Sequence, residues 1–66
     1  MVIPAVVFNS SPIIILSKLG YLEQAFELFQ KNYIVPVVVE EINQKHDEVK
    51  IKLEKFINAG KIIVKT

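Results

Sequence analysis

Apolar and polar positions change their period several times along the chain, and each change marks an element. Val2 to Phe8 is an unbroken apolar, largely β-branched run that ends at the turn residues Asn9-Ser10-Ser11. Unbroken apolarity over so short a stretch is the pattern of a strand covered on both faces. Pro4 has no N–H to give a ladder, so pairing is expected from Ala5 onward. Ser11 followed by Pro12 reads as an N-cap and first helical residue. Residues 12–19 are almost wholly apolar, which predicts a short buried helix stopped by Gly20. From Tyr21 to Gln30, the apolar Leu22, Ala25, Phe26 and Phe29 recur at i, i+3, i+4 and i+7. Glu23, Gln24, Glu27 and Gln30 lie opposite, so the spacing predicts an amphipathic helix. Lys31-Asn32 ends it, with a Lys at the negative helix terminus.

Tyr33-Ile34-Val35 reads as a short strand, and the next segment supports two readings. The Val run suits a strand continuing to Val39. Pro36 in a first helical turn and the i, i+4 pair Val38/Ile42 suit a helix. Further on, Asp47 is expected to cap a helix with Val49, Leu53, Phe56 and Ile57 on one face and Gly60 as its stop. Glu48–Lys52 and Lys50–Glu54 are i, i+4 pairs on its wet face, each worth about 0.2–0.5 kcal/mol. Lys61 to Lys65 reads as a final strand. Strands alternating with helices predict an α/β fold. Its sheet would be small and parallel, with three short strands and flanking helices. The first strand, residues 5–8, would pair with the second, residues 33–35. The alternative is a mainly helical unit in which 33–39 is one strand. With no repeat, linker or low-complexity segment, residues 1–66 read as a single domain.

Composition narrows the function classes. At 66 residues the chain is small, and a domain near this size buries only about 60% of the surface its unfolded chain exposes. There is no Cys, hence no disulfide and no thiolate metal site, and one His builds no zinc site unaided. Packing, oligomerisation or a missing remainder of the domain must therefore supply stability. Eight Lys against seven acidic residues give a net charge of +1, and no base is Arg. That near-neutrality and the missing planar guanidinium argue against a dedicated DNA-binding module. The apolar runs are too short and too interrupted to span a membrane, which takes about 20 residues. No signal-peptide pattern is present, so the cytoplasm is the default expectation.

Few residues carry candidate chemistry. Two Gly, at positions 20 and 60, make no phosphate loop or dinucleotide fingerprint. His46 and Asp47 are adjacent in sequence and do not orient each other for a triad; His46 reads as a solvated residue between helices. Asn9, Ser10 and Ser11 fall where the first strand ends and a helix begins. Ligands collect beyond the carboxyl ends of parallel strands, and helix N–H groups favour anions there. The plainer reading is a turn with its N-cap. Glu40 and Glu41 are adjacent carboxylates. In a helix, Glu41 would lie at the core edge beside Val38 and Ile42, suited to a divalent cation, or simply solvated.

The segments 9–22 (Asn-Ser-Ser-Pro-Ile-Ile-Ile-Leu-Ser-Lys-Leu-Gly-Tyr-Leu) and 34–42 (Ile-Val-Pro-Val-Val-Val-Glu-Glu-Ile) resemble the start of PIN-like domains. The nearest likeness is to an uncharacterised prokaryotic branch of the VapC-type toxin ribonuclease superfamily. The tail, with Ala-Gly-Lys-Ile-Ile-Val at 59–64, fits as well. The resemblance covers nearly the whole chain, which would then correspond to the N-terminal half of such a domain. It implies that residues 36–44 are helical. It further implies a metal-dependent ribonuclease in which carboxylates at the strand ends hold Mg²⁺ or Mn²⁺, generating a hydroxide and neutralising the phosphodiester transition state. By position, the first metal ligand falls at Asn9 and another at Glu41, with Ser10 and Ser11 as phosphate- or substrate-binding residues. Asn9 stands where the family has Asp, and its amide brings a carbonyl oxygen without charge. The family's remaining carboxylates would fall past Thr66.

The expectation is thus a truncated or split PIN-like ribonuclease, inactive alone and completed by a second polypeptide. RNA would be a partner only once the domain is completed. The alternatives are a non-catalytic oligomeric module keeping the scaffold, or a gene fragment without independent function. A homo-oligomer, most simply a dimer, is expected to bury the first strand's free edge or the apolar faces of residues 12–29.

Overall fold

The computed structural model describes residues 3–66. In chain order the elements are β1 (Ile3–Phe8), α1 (Ser10–Leu19), α2 (Leu22–Glu27), β2 (Phe29–Ile34), α3 (Pro36–Lys45), α4 (Asp47–Asn58) and β3 (Ile63–Val64). The strands lie side by side in the order β1-β2-β3, and both pairings are parallel. The α/β fold with a three-stranded parallel sheet forms as the sequence predicts. No helix among the described residues is long and apolar enough to cross a membrane.

Both crossovers step across the sheet in one direction. Right-handed crossovers of that kind put their helices on the same face, and burial agrees. Phe8, Asn32, Ile34 and Ile62 are buried, whereas Ile3, Ala5, Val7, Lys31 and Ile63, at alternate positions, are exposed. The molecule therefore has two layers, four helices over one face of the sheet. Between them lie Ile13, Ile34, Ile42, Leu53 and Ile62, each almost fully buried. Edge-to-face rings of Phe8, Phe26 and Phe56 extend this core.

A strand covered on both faces is not what forms. Ile3 and Val7 are 52% and 54% exposed, because every helix sits on the opposite face. Val2, read as part of that strand, lies outside the described residues. Pairing also starts earlier than expected, with Ile3 opposite Phe29. The Ile3 N–H donates to the Leu28 carbonyl at 3.1 Å. Successive residues point their N–H groups to opposite sides, so the Pro4 nitrogen faces β1's other edge, where no donor is required.

Helix boundaries differ from the sequence reading for local reasons. α1 begins at Ser10 with Asn9 as N-cap, so Pro12 is its third residue. That is harmless, since the first four helical N–H groups have no intrahelical acceptor. α1 is buried only along Ile13 and Ser17, while Ile15 and Leu19 are exposed, because a surface helix covers one stripe. α2 ends at Glu27, and Phe29 opens β2 instead of closing a helix. Phe29 still reaches the core from the strand, its ring 5.9 Å from that of Phe8. Its place in a helical repeat was thus coincidental.

The two readings of the Val run resolve in favour of a helix. Val35 is extended (φ −90°, ψ 153°), and its carbonyl accepts from the N–H groups of Val38 and Val39. Pro36 fits the first helical position, and Ile42 is fully buried. Strand propensity in Val37 to Val39 loses to this start signal and to the packing of Val38 and Val39 on the core. Asp47 is the first residue of α4 and not its cap; His46 precedes it, and Asp47 contributes its charge to the first turn. β3 is shorter than expected, although the Lys65 N–H donates to the Ile34 carbonyl at 2.8 Å. Gly20 and Gly60 take left-handed conformations (φ 78° and 76°) at the two predicted helix stops.

Neither expected i, i+4 pair on α4 closes. Among the described residues the ion pair formed is Lys61–Glu23 at 3.8 Å, with both side chains about half exposed. The Lys52 ammonium donates to the Ser17 carbonyl at 3.1 Å, holding the last turn of α1 against α4. Among the described residues the buried polar side chains are Ser17 and Asn32; Asn32 belongs to the sheet. The Asn32 amide nitrogen donates to the carbonyls of Phe26 (3.0 Å) and Lys61 (3.3 Å), while Oδ1 has no protein partner. With carbonyls at both contacts, only the nitrogen can face them.

Candidate functional site

Because β1 and β2 are parallel and Phe8 lies opposite Ile34, the two strands end level. Asn9 and Val35 therefore leave the sheet at the same carboxyl edge, and α1 and α3 both open there. This is the edge where open parallel sheets gather ligands. Asn9 is extended (φ −83°, ψ 172°) and exposed, and its side chain makes no capping hydrogen bond. Its amide is not committed to starting the helix. Ser10, half-buried, and Ser11, exposed, occupy the first turn of α1 beside N–H groups that lack intrahelical acceptors.

Glu41 sits on α3, five residues beyond Pro36 or about 8 Å of helix rise. It is exposed, as is Val37 one turn before it, while the adjacent Ile42 is fully buried. Since α1 and α3 pack against each other, the elements that carry Asn9 and Glu41 are neighbours. Among the described residues no group of three or more His, Cys, Asp or Glu is placed to hold a metal ion. One neutral amide oxygen and one carboxylate do not amount to a Mg²⁺ or Mn²⁺ site unaided, because such ions rely on anionic oxygens to offset dehydration.

Two surface cavities lie elsewhere. One, of about 300 Å³, is lined by Ser17, Gly20, Leu22, Glu23, Lys52, Lys55 and Phe56 at the far end of α1. The other, of about 210 Å³, lies among Lys18, Lys45, His46, Asp47, Glu48 and Val49. Neither includes Asn9, Ser10, Ser11 or Glu41. His46 is half-buried at the α3–α4 junction with no serine beside it in that cavity. The sequence reading missed Asn32 as the tie between α2, β2 and the approach to β3. Its signal was a small amide between Lys31 and Tyr33, read there as a helix ending.

A short three-stranded parallel sheet with helices opening at its carboxyl edge defines an α/β fold. A family model described as a PIN domain matches residues 5–66, and the chain belongs to that family. No curated protein and no solved structure matches it.

Proposed function

We propose that this chain supplies one side of a metal-dependent ribonuclease site and acquires activity when another polypeptide adds carboxylates at the carboxyl edge of the sheet. The observation that carries this reading is the exposed, uncapped Asn9 amide at the end of β1, on an edge shared with the start of Glu41's helix. PIN domains are generally metal-dependent. Among the described residues no cation site is complete. The roles of this chain's own residues are to present the Asn9 oxygen and the Glu41 carboxylate, and to offer the Ser10 and Ser11 hydroxyls and the first N–H groups of α1 to a phosphate.

The test is RNA cleavage in Mn²⁺ by the chain alone and by the chain mixed with the C-terminal half of an active PIN domain. The expected result is no cleavage alone and cleavage on mixing that is lost with Glu41→Gln. Cleavage by the chain alone would contradict the proposal, as would a mixture indifferent to Glu41. Self-association is a second part of the proposal. Ile15 and Leu19, one turn apart on α1, expose 56% and 61% of their surface and give a two-fold dimer an apolar stripe within residues 12–29.

A further inference from the structure

The larger of the two surface cavities, about 300 Å³, lies at the C-terminal end of α1, about 15 Å along that helix from Asn9. Its lining falls into two kinds of residue. Ser17 and Leu22 are buried and Phe56 is half-buried, so these form the floor; Glu23, Lys52 and Lys55 are exposed and form the rim. Local sequence brings them together. Lys52, Lys55 and Phe56 are spaced i, i+3 and i+4 and share one face of α4. Gly20, in the left-handed region, turns the chain so sharply that α2 starts at Leu22 and sets Leu22 and Glu23 beside that face. A Cβ at Gly20 would meet nothing within 4 Å, so the turn opens onto free space. The Phe56 ring packs edge-to-face on Phe26 at 5.2 Å, which fixes its orientation.

Charge selects what such a cavity takes. The Glu23 carboxylate lies 3.8 Å from the Lys61 ammonium. The Lys52 ammonium donates to the Ser17 carbonyl at 3.1 Å and has two more N–H groups to give. Lys55 has no ion-pair partner among the described residues. Glu48, one turn before Lys52, lines the other cavity. Three ammonium groups thus stand against one carboxylate around an apolar floor, and their complement is an anion with an apolar body. Volume sets the size of that body. A cavity of about 150 Å³ takes one benzene ring, so about 300 Å³ takes two fused rings or a short acyl chain. A concave apolar floor with a few charged groups at its mouth is the usual form of a small-molecule site.

We propose that this cavity binds a small amphipathic carboxylate, its aryl or acyl body on Leu22 and Phe56 and its carboxylate on Lys52 and Lys55. The cavity includes none of Asn9, Ser10, Ser11 and Glu41, so the site stands or falls separately from the strand-end reading.

Three probes of one shape test it: naphthoate, the uncharged naphthylmethanol and the cationic naphthylmethylammonium. Each is titrated into the full chain and followed by NMR shifts. Naphthoate is expected to bind about tenfold more tightly than the alcohol, the effect of two surface charge pairs, and the ammonium more weakly than either. Shifts should centre on Gly20, Leu22 and residues 52–56. Lys55→Met, an exposed change, should bring naphthoate to within about threefold of the alcohol while alcohol binding stays unchanged, which a folding defect would not allow. Lys65→Met removes the same charge outside the cavity and should leave the preference as it was. No binding of naphthoate, equal binding of the three probes, shifts centred elsewhere, or a full preference kept in Lys55→Met would overturn the proposal. So would displacement of naphthoate by equimolar inorganic phosphate, which would make the rim an anion site indifferent to the apolar floor.

Discussion

Replacing Asn32 with Asp changes one atom pair and tests how the helices are tied to the sheet. The side chain is 6% exposed, and its amide nitrogen donates to two carbonyls, on Phe26 and Lys61. Asn32→Asp removes both donated bonds, about 1 kcal/mol each. It also places a carboxylate against two carbonyl oxygens with no cation among the contacts, a further cost of several kcal/mol. The sum is about 4 kcal/mol at pH 7, against a total stability of about 3–10 kcal/mol for a chain of this size. The variant should therefore be largely or partly unfolded at neutral pH. Burial raises the folded-state pKa of this carboxyl above its unfolded value of about 4. Stability is then highest below the unfolded pKa and falls as pH rises toward the folded pKa. Asn32→Ala removes the donors without adding charge and should cost about 1–3 kcal/mol with no added pH dependence between pH 3 and 8. Urea unfolding followed by far-ultraviolet circular dichroism measures both variants, since the chain has no Trp. An Asp variant as stable as the Ala variant at pH 7, with a flat pH profile, would refute the reasoning.

Other expectations are simpler to check. Gly20→Ala meets no atom within 4 Å, so its cost is purely that of the left-handed backbone, about 1 kcal/mol in urea unfolding. Lys52→Met keeps the side-chain stem but loses the bond to the Ser17 carbonyl, and should cost about 0.5–1.5 kcal/mol by the same assay. In sedimentation equilibrium at micromolar concentration the chain is expected to dimerise, and the double change Ile15→Lys, Leu19→Lys should leave a folded monomer of 7.5 kDa.

The parts of this fold that were legible in the sequence are those set by local chemistry. Gly20 and Gly60 stop helices because only glycine enters the left-handed region cheaply, and Asn9-Ser10-Ser11 ends β1 because these residues favour turns. Val49 and Leu53 are buried as their helical spacing predicts. The parallel pairing of β1 with β2 was legible too, but element boundaries that depend on distant contacts were misread. Phe29 fits a helical repeat and a strand equally well, and only its pairing with Ile3 decides between them. Asn32 looked like a helix ending because its partners, Phe26 and Lys61, lie six and twenty-nine residues away. The unbroken apolar run of β1 suggested two covered faces, yet all four helices lie over one. For the end of β1 and the start of α3, the residues could be named from the sequence and their alignment could not. Asn9 and Glu41 could be named from their motifs, but that β1 and β2 end level follows from the parallel register alone.

The proposed site requires Asn9 and Glu41 to share one cation near the carboxyl edge of the sheet. Mn²⁺ affinity of the full chain, measured by calorimetry and by the electron paramagnetic resonance of free Mn²⁺, tests this directly. Asn9→Asp adds the missing charge and should raise affinity measurably over the unchanged chain, and adding Glu41→Gln to that variant should abolish the gain. Equal affinity in all three proteins would show that Asn9 is only a turn residue and Glu41 only a solvated side chain.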